Sequence, residues 1–321
     1  MVRALVVCLC AVPFLVLGLP HAWGQNYPNK PVRIVAAAAG GGTDFAARQM
    51  TPALTASLGQ QIIIENRGGS VTIPAELVAK SPADGYTLLL YGSALWLMPF
   101  LRDDVRYDPL RDFSPITLTG TQCTILVVHP SLPVKSVKEL IALAKAHPGA
   151  LNYSSAQPAT PSHMAAELFK SMAGVNIVHI GYQGTAPALI DVVSGQVQLM
   201  FSIPSAGMPL VKSGKLRALA VTSAQRSALA PELPTVAASG VPGYEAGVTN
   251  AIFAPAKTPA AIISRLNQEF GRVLNQPAMK EKLLSAGIEV VTGTPEQLTA
   301  AVKAEMTVLG KVIKDAGIRD Q

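Results

Sequence analysis

The apolar positions of this chain switch repeatedly between two spacings. Short β-branched runs alternate with longer stretches in which apolar residues recur every three or four positions. Val32 to Val35 reads as a strand, and 44–58 as a helix burying Ala47, Met50, Leu54 and Leu58 on one face. Gly59 stops that helix. A strand over Ile62 to Ile64, a helix over 74–80 and an Asp84-Gly85 turn into a strand over 87–91 follow. Further strand-like runs fall at 124–128, 151–153, 177–180, 197–201, 216–222 and 252–254. Ser136 caps a helix with Glu139 at the capping-box position, and other helices are expected over 161–172, 186–194, 259–275, 277–286 and 295–315. The charged, proline-rich stretch 103–115 reads as a surface connection. Strand–helix alternation of this kind predicts an α/β fold of mainly parallel sheets flanked by helices.

The first residues follow another pattern. Arg3 precedes an apolar run from Ala4 to Leu19, and the small-residue site Ala22, Trp23, Gly24 follows. This is the layout of a secretory signal peptide over 1–24, with cleavage expected after Gly24. The run falls short of the roughly 20 residues that a membrane span needs. Cys8 and Cys10 would leave with the leader, so Cys123 would be the one cysteine of the exported chain. An oxidising compartment then offers no intrachain disulfide, and the fold must stand on its apolar core. Cys123 itself lies in an apolar run and reads as a buried, inert thiol.

Composition narrows the partners. The net charge is +6, the basic residues are scattered, and aromatics make up 5% of the chain. That pattern argues against nucleic acid and mildly favours anionic ligands.

Candidate chemistry collects at strand-to-helix junctions. Gly40 to Asp44, Ser154 to Ser162 and Gly181 to Pro187 each end a strand and open a helix. Such helix starts carry unpaired backbone N–H groups and the positive end of the helix dipole, which attract anions. In open α/β sheets ligands sit outside the carboxyl ends of the strands, where all three junctions lie. Each junction also has a purely structural reading, because Thr or Asp before a helix commonly serves as its cap. Asp44 reads first as a cap or loop brace. Thr160 before Pro161 fits the cap-then-proline pattern, and Thr185 fits a cap as well. His163, in the first turn of its helix, could donate to a ligand or bond the loop. His129, His147 and His179 lack metal-ligand spacing, so no metal is expected.

Enzyme motifs fail. The 40–45 glycine run lacks the last glycine of a dinucleotide loop, and no Walker lysine, G-x-S-x-G elbow or H-E-x-x-H occurs. Ser162 beside His163 is the nearest approach to a nucleophile and base, yet adjacent helical residues do not face one another.

Several ordered blocks then carry a resemblance. They include Gly-Gly-Gly-Thr-Asp at 40–44, Glu-Asn-Arg at 65–67, Asp-Gly-Tyr-Thr-Leu-Leu-Leu at 84–90 and Tyr-Asp-Pro-Leu at 107–110. Leu-Pro-Val-Lys-Ser at 132–136, Thr-Pro-Ser-His at 160–163, Ala-Pro-Ala-Leu at 186–189, Gly-Lys-Leu-Arg-Ala-Leu-Ala-Val at 214–221, Pro-Thr-Val-Ala at 234–237 and Phe-Ala-Pro-Ala at 253–256 continue the series. Together they make the chain resemble the Bug-type receptors of tripartite tricarboxylate transporters. The resemblance implies a non-catalytic periplasmic binding protein of the two-lobed, type II-like kind, with a ligand cleft between lobes, no cofactor and a monomeric state. It implies a small carboxylate as ligand and the transporter's large and small membrane subunits as partners. Lobe one would hold 26–122 and 250–321, and lobe two 123–249. The ligand would be gripped by Gly41, Gly42, Thr43 and Asp44 on one side and by Ser155, Thr160, Ser162 and His163 on the other, with Thr185 and Ser202 along the wall.

The chain departs from the family pattern at that cleft. Ala38 and Ala39 stand for the usual prolines, Gln157 and Pro158 for small residues, Thr249 and Asn250 for an aromatic pair, and Ser202 for a common acid. Loss of the acid disfavours a ligand amine, so a plain carboxylate is expected. The rival readings are a sensor subunit with the same binding chemistry and a periplasmic hydrolase or lyase.

Overall fold

In the computed structural model, residues 27–37, 42–67, 71–155, 160–182 and 184–319 are described. The leader with its Gly24 cleavage point, Gly41, and 156–159 of the second junction lie outside them. The chain first builds β1 (Val32–Ala36), α1 (Gly42–Leu58), β2 (Ile62–Asn66), α2 (Thr72–Ala79), β3 (Thr87–Gly92), α3 (Ala94–Leu101) and β4 (Phe113–Cys123). It then builds β5 (Ile125–Val128), α4 (Val137–Ala146), β6 (Asn152–Ser155), α5 (Pro161–Ala173), β7 (Val178–Gly181), α6 (Thr185–Val193), β8 (Leu199–Ser202), α7 (Pro204–Lys212) and β9 (Arg217–Val221). It returns through β10 (Gly247–Pro255) and ends in α8 (Ala260–Leu274), α9 (Pro277–Ser285) and α10 (Pro295–Asp315).

The strands form two five-stranded sheets, ordered β2-β1-β3-β10-β4 and β7-β6-β8-β5-β9. Each keeps three neighbouring parallel strands, β2-β1-β3 in one and β7-β6-β8 in the other. The rest of each sheet is antiparallel: β10 opposes β3 and β4, and β5 opposes β8 and β9. The sheets are therefore mixed. The two strands that run against the grain are those that begin where the chain crosses from one sheet to the other.

Why the strands read as unbroken apolar runs is plain from where their side chains go. Along β3, Leu88 and Leu90 join one apolar cluster with α1 and α8, while Leu89 joins another with α3 and α10. Along β5, Ile125 and Val127 pack with α6, while Leu126 and Val128 point the other way. Successive strand residues face opposite sides, and here both sides are covered. The layer containing α3, α5 and α10 is continuous through both sheets, holding Leu89 and Trp96 with Phe169, Phe201 and Val312. Each such fully buried large side chain contributes about 1.5–3 kcal/mol relative to exposure.

Three elements were hidden in the sequence. α3 follows β3 so closely that its run Ala-Leu-Trp-Leu-Met-Pro-Phe-Leu carries no helical periodicity, because it is apolar all round, with five of its eight residues buried and none exposed. α7 carries Pro209 inside it. β4 is rich in threonine, yet Thr117 and Thr119 are buried beside β10. The Thr117 hydroxyl donates to the Gly293 carbonyl at 2.9 Å, which satisfies a group that would otherwise oppose burial.

Candidate functional site: the cleft between the sheets

Strand directions bring the candidate residues together. β1, β2 and β3 are parallel and end at Ala36, Asn66 and Gly92, one edge of the first sheet. β4 ends at that same edge, since it is antiparallel to β10 and β10 to β3. One residue, Thr124, separates Cys123 from the start of β5, where Ile125 pairs with Ser202 at the end of β8. The carboxyl-end edge of one sheet thus meets that of the other across the crossing. The crossings are stitched together: the Thr124 amide donates to the Thr222 hydroxyl at 2.8 Å, and that hydroxyl donates to the Thr124 carbonyl at 3.0 Å. The Ala246 amide donates to the Thr222 carbonyl at 2.9 Å, tying the return strand to the same point. Beside the crossings lies a cavity of about 350 Å³ bordered by Phe45, Thr124, Pro161, Ile203 and Val248. Residues from the starts of α1, α5 and α7 therefore share one space.

On the first side, Gly42 opens α1, Thr43 is half-buried and Asp44 is buried. Asp44 is a brace, the first of its two sequence readings. Its Oδ1 accepts from Arg48 Nε at 2.9 Å and from Asn66 Nδ2 at 2.8 Å. Asn66 Nδ2 also donates to the Ala37 carbonyl, and its Oδ1 accepts from Arg48 Nη2, both at 2.9 Å. The brace ties the end of β1, the end of β2 and the first turn of α1 into one unit.

The second side is built differently. Thr160 caps α5 with extended backbone and Pro161 follows it, as the sequence indicated. Ser162 and His163 are buried in the first turn. His163 stacks on His179 with ring centres 4.2 Å apart, and His179 stacks on Tyr153 at 4.8 Å. The register of the β6–β7 pair, Tyr153 opposite His179, sets up this column. Ser155 Oγ and His179 Nε2 share a hydrogen bond of 2.7 Å. At the far end, Glu167 Oε1 accepts from the Tyr153 hydroxyl at 2.5 Å and from Lys170 Nζ at 2.6 Å. Burial, together with the neighbouring His179, lowers His163 to a pKa of about 4, and burial lowers His179 too, so both rings are neutral near pH 7.

The remaining candidates divide by exposure. Thr185 is not the cap of α6 but its first residue, because Gly184 holds the cap position, and it is half-buried like Thr43 and Thr160. Ser202 is fully buried, and its hydroxyl donates to the Ile203 carbonyl at 3.1 Å. Gly207 of α7 presses on it so closely that a Cβ there would stand 3.0 Å from Ser202 Oγ and 2.9 Å from Ile125 Cδ1. The partly exposed hydroxyls among the candidates are thus the three threonines at helix starts, with the serines beneath them. His179 was missed by sequence reasoning. It lies on β7, whereas the Thr-Pro-Ser-His block opens α5, and its place beside Ser155 comes from strand pairing. Cys123 is buried at the crossing, with its thiol pKa raised by burial.

Residues 46–318 match the protein family described as tripartite tricarboxylate transporter family receptor. The chain is 35% identical over 303 residues to Protein BugT of Bordetella pertussis, covering 92% of each. Among solved structures it is similar to R. palustris Rpa4515 with adipate, at 37% identity and a TM-score of 0.72, covering 91% of this chain and 99% of that one. It is also similar to MatC from Rhodopseudomonas palustris with bound malate, at 29% identity and a TM-score of 0.68, covering 89% of this chain and 100% of that one.

Proposed function

The chain belongs to the tripartite tricarboxylate transporter receptor family, and from that premise we propose that it captures a small, amine-free carboxylate between its lobes. It then delivers that solute to the large and small membrane subunits of such a transporter. The leader over 1–24 directs export, cleavage after Gly24 frees the receptor in the periplasm, and it works there as a monomer without catalysing a reaction. Lobe one is residues 26–122 with 250–321, lobe two is 123–249, and the hinge lies at the two crossings stitched by Thr222.

The observation that carries this reading is the meeting of two carboxyl-end strand edges, each opening into helices that begin at the same cleft. Backbone N–H groups at the starts of α1, α5 and α6 offer donors, and Thr43, Thr160 and Thr185 add hydroxyls to them. Gly41 and Gly42 allow close backbone approach, while Asp44, Ser155, Ser162, His163 and Ser202 support these contacts from below. The relatives solved with adipate and malate support a dicarboxylate as the ligand class. An ammonium group finds poor company here. Asp44 is already neutralised by Arg48, and Ser202 is uncharged. Closure about the hinge would bring the two edges onto the solute.

The pairing of Ser155 with His179 raises the hydrolase reading again, because a nucleophile needs such a base. Ser155 is fully buried, however, and Glu167, the nearby acid, is engaged by Tyr153 and Lys170. The pair serves better as a support that fixes the hydroxyl's direction.

The test is thermal unfolding of the chain from residue 25 onward against adipate, malate, citrate and benzoate, with amino acids and sugars as controls. A ligand at about 100 times its Kd stabilises by roughly 2.7 kcal/mol. Stabilisation by one carboxylate class supports the proposal. Stabilisation by a sugar or an amino acid alone overturns it.

A further inference from the structure

A second cavity of about 350 Å³ lies in the apolar layer that the two sheets share. It adjoins the cleft cavity at Gln122, Cys123 and Val248, which line both, and extends away from it along α5. Pro161 borders the first cavity, whereas Leu168 and Met172 border this one, roughly 10–16 Å along the helix axis. Its other walls are the 243–249 segment and the face of α10 that carries Ala301, Glu305 and Val308. Two carboxyl groups line it, Glu245 and Glu305, and among the described residues no Lys, Arg or His does. Cys123 is the other titratable group there. Glu245 is exposed and Glu305 partly buried. Two acids thus share one cavity that no basic residue among the described residues lines, which makes it complementary to a positive charge.

We propose that this cavity is a binding site for a small amphipathic organic cation, whose ammonium group pairs with Glu305 and Glu245 and whose apolar body lies against Leu168, Met172 and Val308. The site shares Gln122, Cys123 and Val248 with the cleft cavity but neither of its acids, and its walls come from β4, β10, α5 and α10. Burial raises the Glu305 carboxyl to a pKa of about 7, while the polar side chains of Ser93, Trp96 and Thr249 beside it lower it in part. A bound cation favours the ionised carboxylate, so binding should release protons and tighten as pH rises.

The probe is n-hexylammonium chloride, with 1-hexanol and ammonium chloride as controls, read by isothermal titration and thermal unfolding of the whole exported chain. Hexylammonium should bind and raise the Tm, while neither control does. Its affinity should rise on the order of tenfold from pH 6 to pH 8, the interval over which Glu305 ionises. Glu305→Gln should abolish that pH dependence and most of the binding. Ala301→Phe, which fills the cavity from the same face of α10 and leaves the acid in place, should block binding independently. Both variants should keep their response to adipate if the protein binds it, which marks them as folded. Absence of hexylammonium binding, an equal response to hexanol, or unchanged binding in either variant would overturn the assignment. None of these results depends on whether the cleft takes carboxylates.

Discussion

The two sides of the cleft solve the same problem with opposite chemistry. At the start of α1 a carboxylate occupies the electropositive helix end, and Asp44 is shared between Arg48 and Asn66. At the start of α5 the equivalent ground is held by neutral groups, a Ser155–His179–His163 cluster whose rings burial keeps uncharged. The charged groups of that side, Glu167 and Lys170, pair with each other at the foot of the column. One side has thus filled part of its own anion-attracting capacity with an internal acid, and the other has kept it. The lesson is that an incoming carboxylate should draw more of its affinity from the α5 side, while the α1 side supplies shape.

The largest expected effect concerns the foot of the column. Glu167→Leu strips the acceptor from a buried tyrosine hydroxyl and leaves Lys170 unpaired, which should cost about 3 kcal/mol in urea unfolding. Asp44→Asn, in a brace whose Arg48 is half-exposed, should cost about 1 kcal/mol or less. Equal losses would mean the two sides are built alike after all.

Acid should separate the sides next. His163 has a lower pKa folded than unfolded, so its contribution is present above about 6.5 and is lost as pH falls through that value towards 4. Stability should drop by on the order of 2 kcal/mol over that interval. In His163→Gln the slope should flatten. Glu305 acts with the opposite sign: its folded pKa is raised, so its contribution is present below its unfolded value of 4.5 and is lost as pH rises through about 7. Urea midpoints across pH 4 to 8, in the wild type and in the Glu305→Gln and His163→Gln variants, should resolve the two slopes.

The threonines test the comparison at the ligand. With adipate as titrant, Thr160→Ala should weaken binding about tenfold, the worth of a hydrogen bond to a charged group. Thr43→Ala should do less, and the double variant more than either, with the far-UV spectrum unchanged. A double variant with unchanged affinity would place the ligand elsewhere. The smallest effect is expected for Arg48→Gln. Stability should change by less than about 1 kcal/mol, because the pair is partly solvated, while anion affinity falls a few-fold as Asp44 loses its neutralising partner.

Much of this was legible in the residues. Thr160 with Pro161 marked the cap of α5, Ser136 with Glu139 that of α4, and the Ser136 hydroxyl does accept from the Glu139 amide. Alternating spacings marked the strands that the structure gathers into the two parallel three-strand sets. β4 was illegible because its threonines look like a surface stretch until β10 covers them and Gly293 takes the Thr117 hydroxyl. His179 was illegible because its neighbours in sequence do not stack on it; Tyr153 and His163 do.

What the sequence determined by itself was local: which segments coil or extend, where helices begin, and which ordered blocks tie the chain to a receptor family. Period and capping depend on residues within a few positions of one another, so a linear reading can find them. What only the tertiary structure decided was which buried groups meet. It turned Asp44 into a brace, placed Ser202 under Gly207, aligned the histidines, and left Glu305 facing a cavity it shares with Glu245. Those outcomes depend on strand register and on the packing of residues far apart in the chain, where burial sets both the partner and the charge.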